Sequence, residues 1–139
     1  MRNWRWLLIP VAVFLMIIFA LSISSAEEDF LKKGRDGSIS FLSGGVGLRE
    51  REILDEMGKN YPLKLIFSNK KGEYLSDVIV KILDENNKTI LTTVSNGPWL
   101  FVYLPAGIYH LEASSRGDRR RISRVGVEEG SRKVISFQW

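Results

Sequence analysis

The chain has 139 residues, 45% of them apolar, with a formal net charge of +4. That is room for one domain and an appendage, in a composition that argues against a disordered chain. The absence of cysteine excludes disulfides, thiolate metal sites, a cysteine nucleophile and an acyl-anchor Cys.

Residues 1–26 hold Arg2, Arg5 and no acid, so beyond them 18 basic residues stand against 16 acidic ones. The remainder is close to neutral, which gives little support to nucleic-acid binding. Arg2 and Arg5 precede an apolar run from Trp6 to Leu21, followed by Ser22-Ile23-Ser24-Ser25-Ala26. A basic start, an apolar stretch and small residues at Ser24 and Ala26 make residues 1–26 a secretory signal cleaved after Ala26. The competing reading is an uncleaved membrane anchor, roughly residues 6–23, with Trp4 and Trp6 at the interface. Either way the remaining chain is expected outside the cytoplasmic membrane, periplasmic or secreted.

Residues 27–60 read as a linker with a short helix. Asp29 to Gly47 is rich in Gly, Ser and charge, the composition of a flexible tether, interrupted by Phe41 and Leu42, which are candidates to dock on the domain. From Glu50 to Lys59 the pattern changes. Leu48, Ile53, Leu54 and Met57 fall at helical spacing among charged residues, which predicts an amphipathic helix ended by Gly58 and Asn60. It either caps the domain or binds a partner.

Residues 61–139 read as the domain itself. Leu63, Leu65 and Phe67 alternate with polar positions, as in a half-buried strand. Val78–Ile82 and Thr89–Val94 follow, separated by the turn Asp84-Glu85-Asn86-Asn87-Lys88. Trp99–Leu104 and Ile108–Ser114 flank the corner Leu104-Pro105-Ala106-Gly107, where Pro105 fixes φ and Gly107 frees the reversal. On the second of these strands Tyr109, Leu111 and Ala113 are expected inward, and His110 and Glu112 outward. Tyr109 can bury its ring and keep its hydroxyl on a backbone partner. Arg119–Val127 and Lys133–Trp139 complete seven strands, and Phe137 and Trp139 tie the last one into the sheet. Seven short strands punctuated by turns predict an all-β fold, an antiparallel β-sandwich.

The segment from about Leu63 to Trp139 resembles the carboxypeptidase regulatory-like family, whose fold is a prealbumin-like (transthyretin-like) sandwich of seven strands. The residues that carry the likeness are Val78-Ile79-Val80-Lys81-Ile82-Leu83-Asp84, Gly97-Pro98-Trp99-Leu100 and Leu104-Pro105-Ala106-Gly107-Ile108-Tyr109. The whole chain is similar to small envelope proteins of Gram-negative bacteria that carry one such domain. These motifs are structural, so the resemblance implies a fold and leaves activity open.

Candidate chemistry is sparse. His110 is the single histidine, too few for a zinc peptidase site. The transthyretin-related hydrolases of this fold use more than one histidine and another carboxy-terminal motif. No Gly-x-Ser-x-Gly element accompanies the serines. Asp84, Glu85, Glu128 and Glu129 sit in turns, and although such oxygens can ligate calcium, their spacing matches no EF-hand loop. Two surfaces stand out. Trp99, Phe101 and Tyr103 alternate with Leu100, Val102 and Leu104 along one strand; one of these faces is the core, and the other is either exposed, the aromatic one for a sugar or protein, or covered by the helix or linker. Arg119, Arg120, Arg121 and Arg124, beside Arg116, make a cationic strand for an anionic partner, or an edge charged against pairing. On the extended strand Arg119 and Arg121 share one face, and Arg120 and Arg124 the other. The expectation is therefore a non-catalytic module with no cofactor and no metal, which binds an envelope protein or supports envelope assembly. The alternative is a carbohydrate- or cell-wall-binding module, and an unrecognised hydrolase is the third reading. The membrane enters only through the amino-terminal segment.

Overall fold

The computed structural model describes residues 31–139. The signal or anchor reading of residues 1–26 lies outside the described residues. Among the described residues no helix is long and apolar enough to cross a membrane.

Among the described residues nine strands form two facing sheets, an all-β sandwich, with one helix beside them. The strands are β1 (Lys32–Asp36), β2 (Ile39–Gly44), β3 (Leu63–Ser68), β4 (Ile79–Leu83), β5 (Thr89–Val94), β6 (Trp99–Tyr103), β7 (Gly107–Ser115), β8 (Asp118–Val127) and β9 (Lys133–Gln138). The helix α1 spans Leu48–Met57, between β2 and β3. One sheet has the order β1-β2-β6-β3-β9, and the other β5-β4-β7-β8. The core between them holds Phe41, Leu63, Leu65, Phe67, Val80, Ile82, Leu100, Val102, Leu111 and Phe137, all buried. Period-two alternation puts these residues on the inner faces.

Two features depart from the expectation. The strand count is nine because the stretch read as a tether folds as the hairpin β1–β2, whose second strand pairs with the central β6 from Ser40 opposite Tyr103 to Gly44 opposite Trp99. Gly37, at φ 58°, makes the two-residue reversal. Ile39 and Phe41 enter the main core and Leu42 packs beneath the helix. Few apolar residues suffice here because each is fully used. The sheet is also not wholly antiparallel: β9 runs parallel to β3, from Leu63 opposite Lys133 to Ser68 opposite Gln138. The chain ends tied down, with Trp139 Nε1 donating to the Asp118 carbonyl at 2.8 Å.

The corner after β6 forms as its residues require. The Tyr109 hydroxyl donates to the Pro105 carbonyl at 2.7 Å. Burial, with a smaller contribution from the Asp84 charge, raises the pKa of this phenol. Buried Ser43 is satisfied on both sides of its hydroxyl. Ser43 Oγ donates to the Trp99 carbonyl and accepts from the Asn96 N–H, at 3.1 and 2.8 Å. At Gly97 the backbone passes so close to that of Gly44 that no Cβ fits between them.

Candidate binding surface

Trp99, Phe101 and Tyr103 do share the outer face of β6, but they meet three different environments. Phe101 is fully buried, Trp99 is half-buried and Tyr103 is 51% exposed. The cover over the first two is α1. Leu54, its one buried residue, joins Leu42 and Phe101 in a second small core, and Gly58 lies directly on the Phe101 ring. The arrangement leaves Trp99 Nε1 buried with no hydrogen-bond partner among the described residues.

Lys64 of β3 sits opposite Phe101 and is almost entirely buried there. Its ammonium lies 3.4 Å from the centre of the Trp99 ring and 3.2 Å from Asp55 of the helix. Arg132 approaches from the other side. It contacts Asp55 at 3.3 Å and donates to the Gly58 carbonyl at 2.6 Å, closing the helix carboxy terminus with a cation. Two cations, one carboxylate and two aromatic faces thus lock α1 onto the sheet. Alternation alone does not reveal this set, because Lys64 reads as a solvent-side position of β3.

Beyond the helix end the outer face opens. Two adjoining cavities, about 430 and 320 Å³, share Asn60, Pro62, Tyr103 and Gly130. Lys59, Tyr61, Ser131 and Arg132 complete one, and Leu104, Pro105, Ala106 and Glu129 the other. Together they form a groove at one end of the sandwich with Tyr103 in its middle. The Tyr61 and Tyr103 rings meet edge to face, 5.8 Å apart at 88°. Tyr61 also packs on Phe101, so the exposed ring is braced from the covered side. Of this set the sequence pointed only to Tyr103. The dipeptide Tyr61-Pro62 was the available signal, since an aromatic beside proline at a strand entry has nothing to pack on within its own element.

The arginine strand is less of a patch than its sequence. Arg121 pairs with Glu112 at 2.6 Å and donates to Asn87, and Arg120 pairs with Asp118 and donates to the Gln138 carbonyl. Arg119 and Arg124 are exposed. The predicted sharing of a face by Arg120 and Arg124 fails at a β-bulge. Leu111 faces Ile122 while Tyr109 faces Val125, so two residues of β8, Ser123 and Arg124, oppose the single His110. Arg124 takes φ 56° there, and its N–H donates to His110 Nδ1 at 3.3 Å. That bond leaves the imidazole proton on Nε2. The ring thus serves the N–H that the bulge deprives of a ladder partner.

Asp84 is occupied by its own turn, accepting from the N–H groups of Asn86 and Lys88 at 2.9 Å each. Among the described residues no three of His, Asp or Glu gather where they could hold a metal ion. No protein-family model and no curated protein matches the chain.

Proposed function

We propose that the protein is a non-catalytic, exported β-sandwich module that binds an extended segment of an envelope protein in the groove across Tyr103. One observation carries this reading: a half-exposed aromatic ring, held by a second ring, stands in the floor of a groove between Pro62 and Pro105. Rigid aromatic and proline surfaces bind extended chain at low entropic cost, and the polar rim of Asn60, Glu129, Ser131 and Arg132 supplies hydrogen bonds. Within this reading the fold is a prealbumin-like sandwich of the carboxypeptidase regulatory-like kind, supported by the Tyr109–Pro105 corner and enlarged by the β1–β2 hairpin.

A cell-wall carbohydrate is the second reading. The perpendicular tyrosine faces beside Asn60 and Ser131 favour it, since a sugar offers C–H faces to rings and hydroxyls to an amide. One experiment separates the two. A photo-crosslinking residue at Asn60, on the groove rim, is activated in the periplasm. Capture of one protein, lost with Tyr103→Ala and kept with Arg119→Glu, supports the protein reading. Failure to capture protein, with Tyr103-dependent retention on peptidoglycan or polysaccharide, replaces it with the carbohydrate reading. Absence of both overturns the groove as the binding surface.

A further inference from the structure

The two ends of the sandwich differ in chemistry. The groove lies at the Tyr103 end of β6. The Trp99 end is where the described chain begins, because Lys32 pairs with Ser43 and Gly44 with Trp99. At this end Val46 and Leu48 are 67% and 74% exposed, the most exposed large apolar residues described. Tyr74, half exposed, stands beside them: the Arg51 guanidinium lies 5.2 Å from its ring and donates to the Gly45 and Val46 carbonyls. The exposed cations Lys70, Lys71 and Arg116 occupy the turns of the same end. Of the nearby acids, Glu50 holds the Val46 N–H, Glu73 accepts from Asn69, Asp118 pairs with Arg120, and Asp77 is exposed.

We propose that this end rests on an anionic lipid bilayer, with Val46, Leu48 and Tyr74 among the headgroups and Lys70, Lys71 and Arg116 against lipid phosphates. The geometry of the chain supports a lipid occupant. Residues 22–30 join the apolar run Trp6–Leu21 to Leu31, and nine residues reach at most about 30 Å. With the run retained as an anchor, this end is held near the bilayer, within range of its surface potential. Protruding apolar residues ringed by lysine and arginine are the composition of an interfacial contact. The groove then faces away from the membrane, open to partners. The inference goes beyond the groove reading and does not depend on what the groove binds.

The absence of cysteine allows a clean test on the full chain. Gly47→Cys places a label between Val46 and Leu48, where an added side chain meets nothing within 4 Å. Glu129→Cys places one at the groove. Each labelled chain is reconstituted in vesicles of phosphatidylglycerol and phosphatidylcholine containing headgroup-nitroxide lipid. Quenching at position 47 is expected to exceed that at 129 several-fold. It is expected to fall toward the value at 129 in pure phosphatidylcholine, and with Lys70→Glu/Lys71→Glu/Arg116→Glu. Equal quenching at both positions in the anionic vesicles overturns the proposal. So does a label at 47 shielded from aqueous quencher but untouched by nitroxide lipid, which marks a protein contact.

Discussion

The Lys64 ammonium stands 3.4 Å from the centre of the Trp99 ring, beneath a helix that has only one buried side chain. A desolvated cation on an indole face is worth about 2 kcal/mol, more than at an exposed site. Lys64→Ala should therefore lower stability by roughly 2 kcal/mol and shift the Trp99 emission. Lys64→Met keeps the stem packing and should recover part of the loss. Urea titrations of the three proteins measure both. A Met variant as stable as the parent would assign the whole effect to packing.

Tyr103 and Phe101 are two residues apart on one face, and their substitutions should behave oppositely. Phe101→Ala empties the core under the helix and is expected to cost about 3–5 kcal/mol. Tyr103→Ala, at a half-exposed groove position, should change stability by about 0.5 kcal/mol or less while abolishing capture from the groove. Thermal melts beside the crosslinking readout test the pair.

Tyr109 ties the corner to the stability of the fold at high pH. Tyr109→Phe removes the bond to the Pro105 carbonyl and should cost about 1 kcal/mol at neutral pH. The folded phenol has a raised pKa, through burial first and Asp84 second. The unfolded chain therefore releases its proton first, near pH 10. The contribution is present in full below that pH and is lost as pH rises through the folded value. Stability should fall above about pH 10 in the parent and fall less steeply in Tyr109→Phe, as denaturant midpoints at several alkaline pH values will show.

Close approach makes substitution at Gly58 and at Gly97 costly for steric reasons. An added Cβ at Gly58 collides with the Phe101 ring, and one at Gly97 collides with the Gly44 backbone. A ring can tilt and a paired strand cannot, so Gly97→Ala should cost more than Gly58→Ala. Overpacking of this kind costs about 1–3 kcal/mol. Gly58→Ala should also loosen α1, read as faster amide exchange across residues 48–57.

Much of this architecture was legible in the sequence. Strands β3 to β9 follow from alternation and turn chemistry, and α1 from its apolar spacing, shifted by about two residues. The Tyr109 bond follows from the corner. The hairpin β1–β2 was not legible, because a strand rich in glycine and serine looks like a linker until its partner is known. Phe41 and Leu42, the apolar pair that interrupts this stretch, are its trace. The bulge at Ser123–Arg124 was hidden for the same reason: nothing local marks where a strand gains one residue over its neighbour. The groove was hidden because Asn60, Tyr61, Tyr103 and Gly130 meet only in the folded chain.

The hairpin sets the limits of the folding unit, and this too is testable. A chain cut to residues 61–139 loses the strand beside β6 and the cover over Trp99 and Phe101. It should lack near-ultraviolet dichroism and aggregate, whereas residues 31–139 should fold cooperatively.

The parallel pairing of β3 with β9 also governs when the molecule can form. β3 lies between β6 and β9, so until the last strand is synthesised it keeps an open row of amides and carbonyls. Long-range pairing of this kind is slow. The five-stranded sheet is therefore completed only when β9, the last described strand, becomes available to cover the edge of β3.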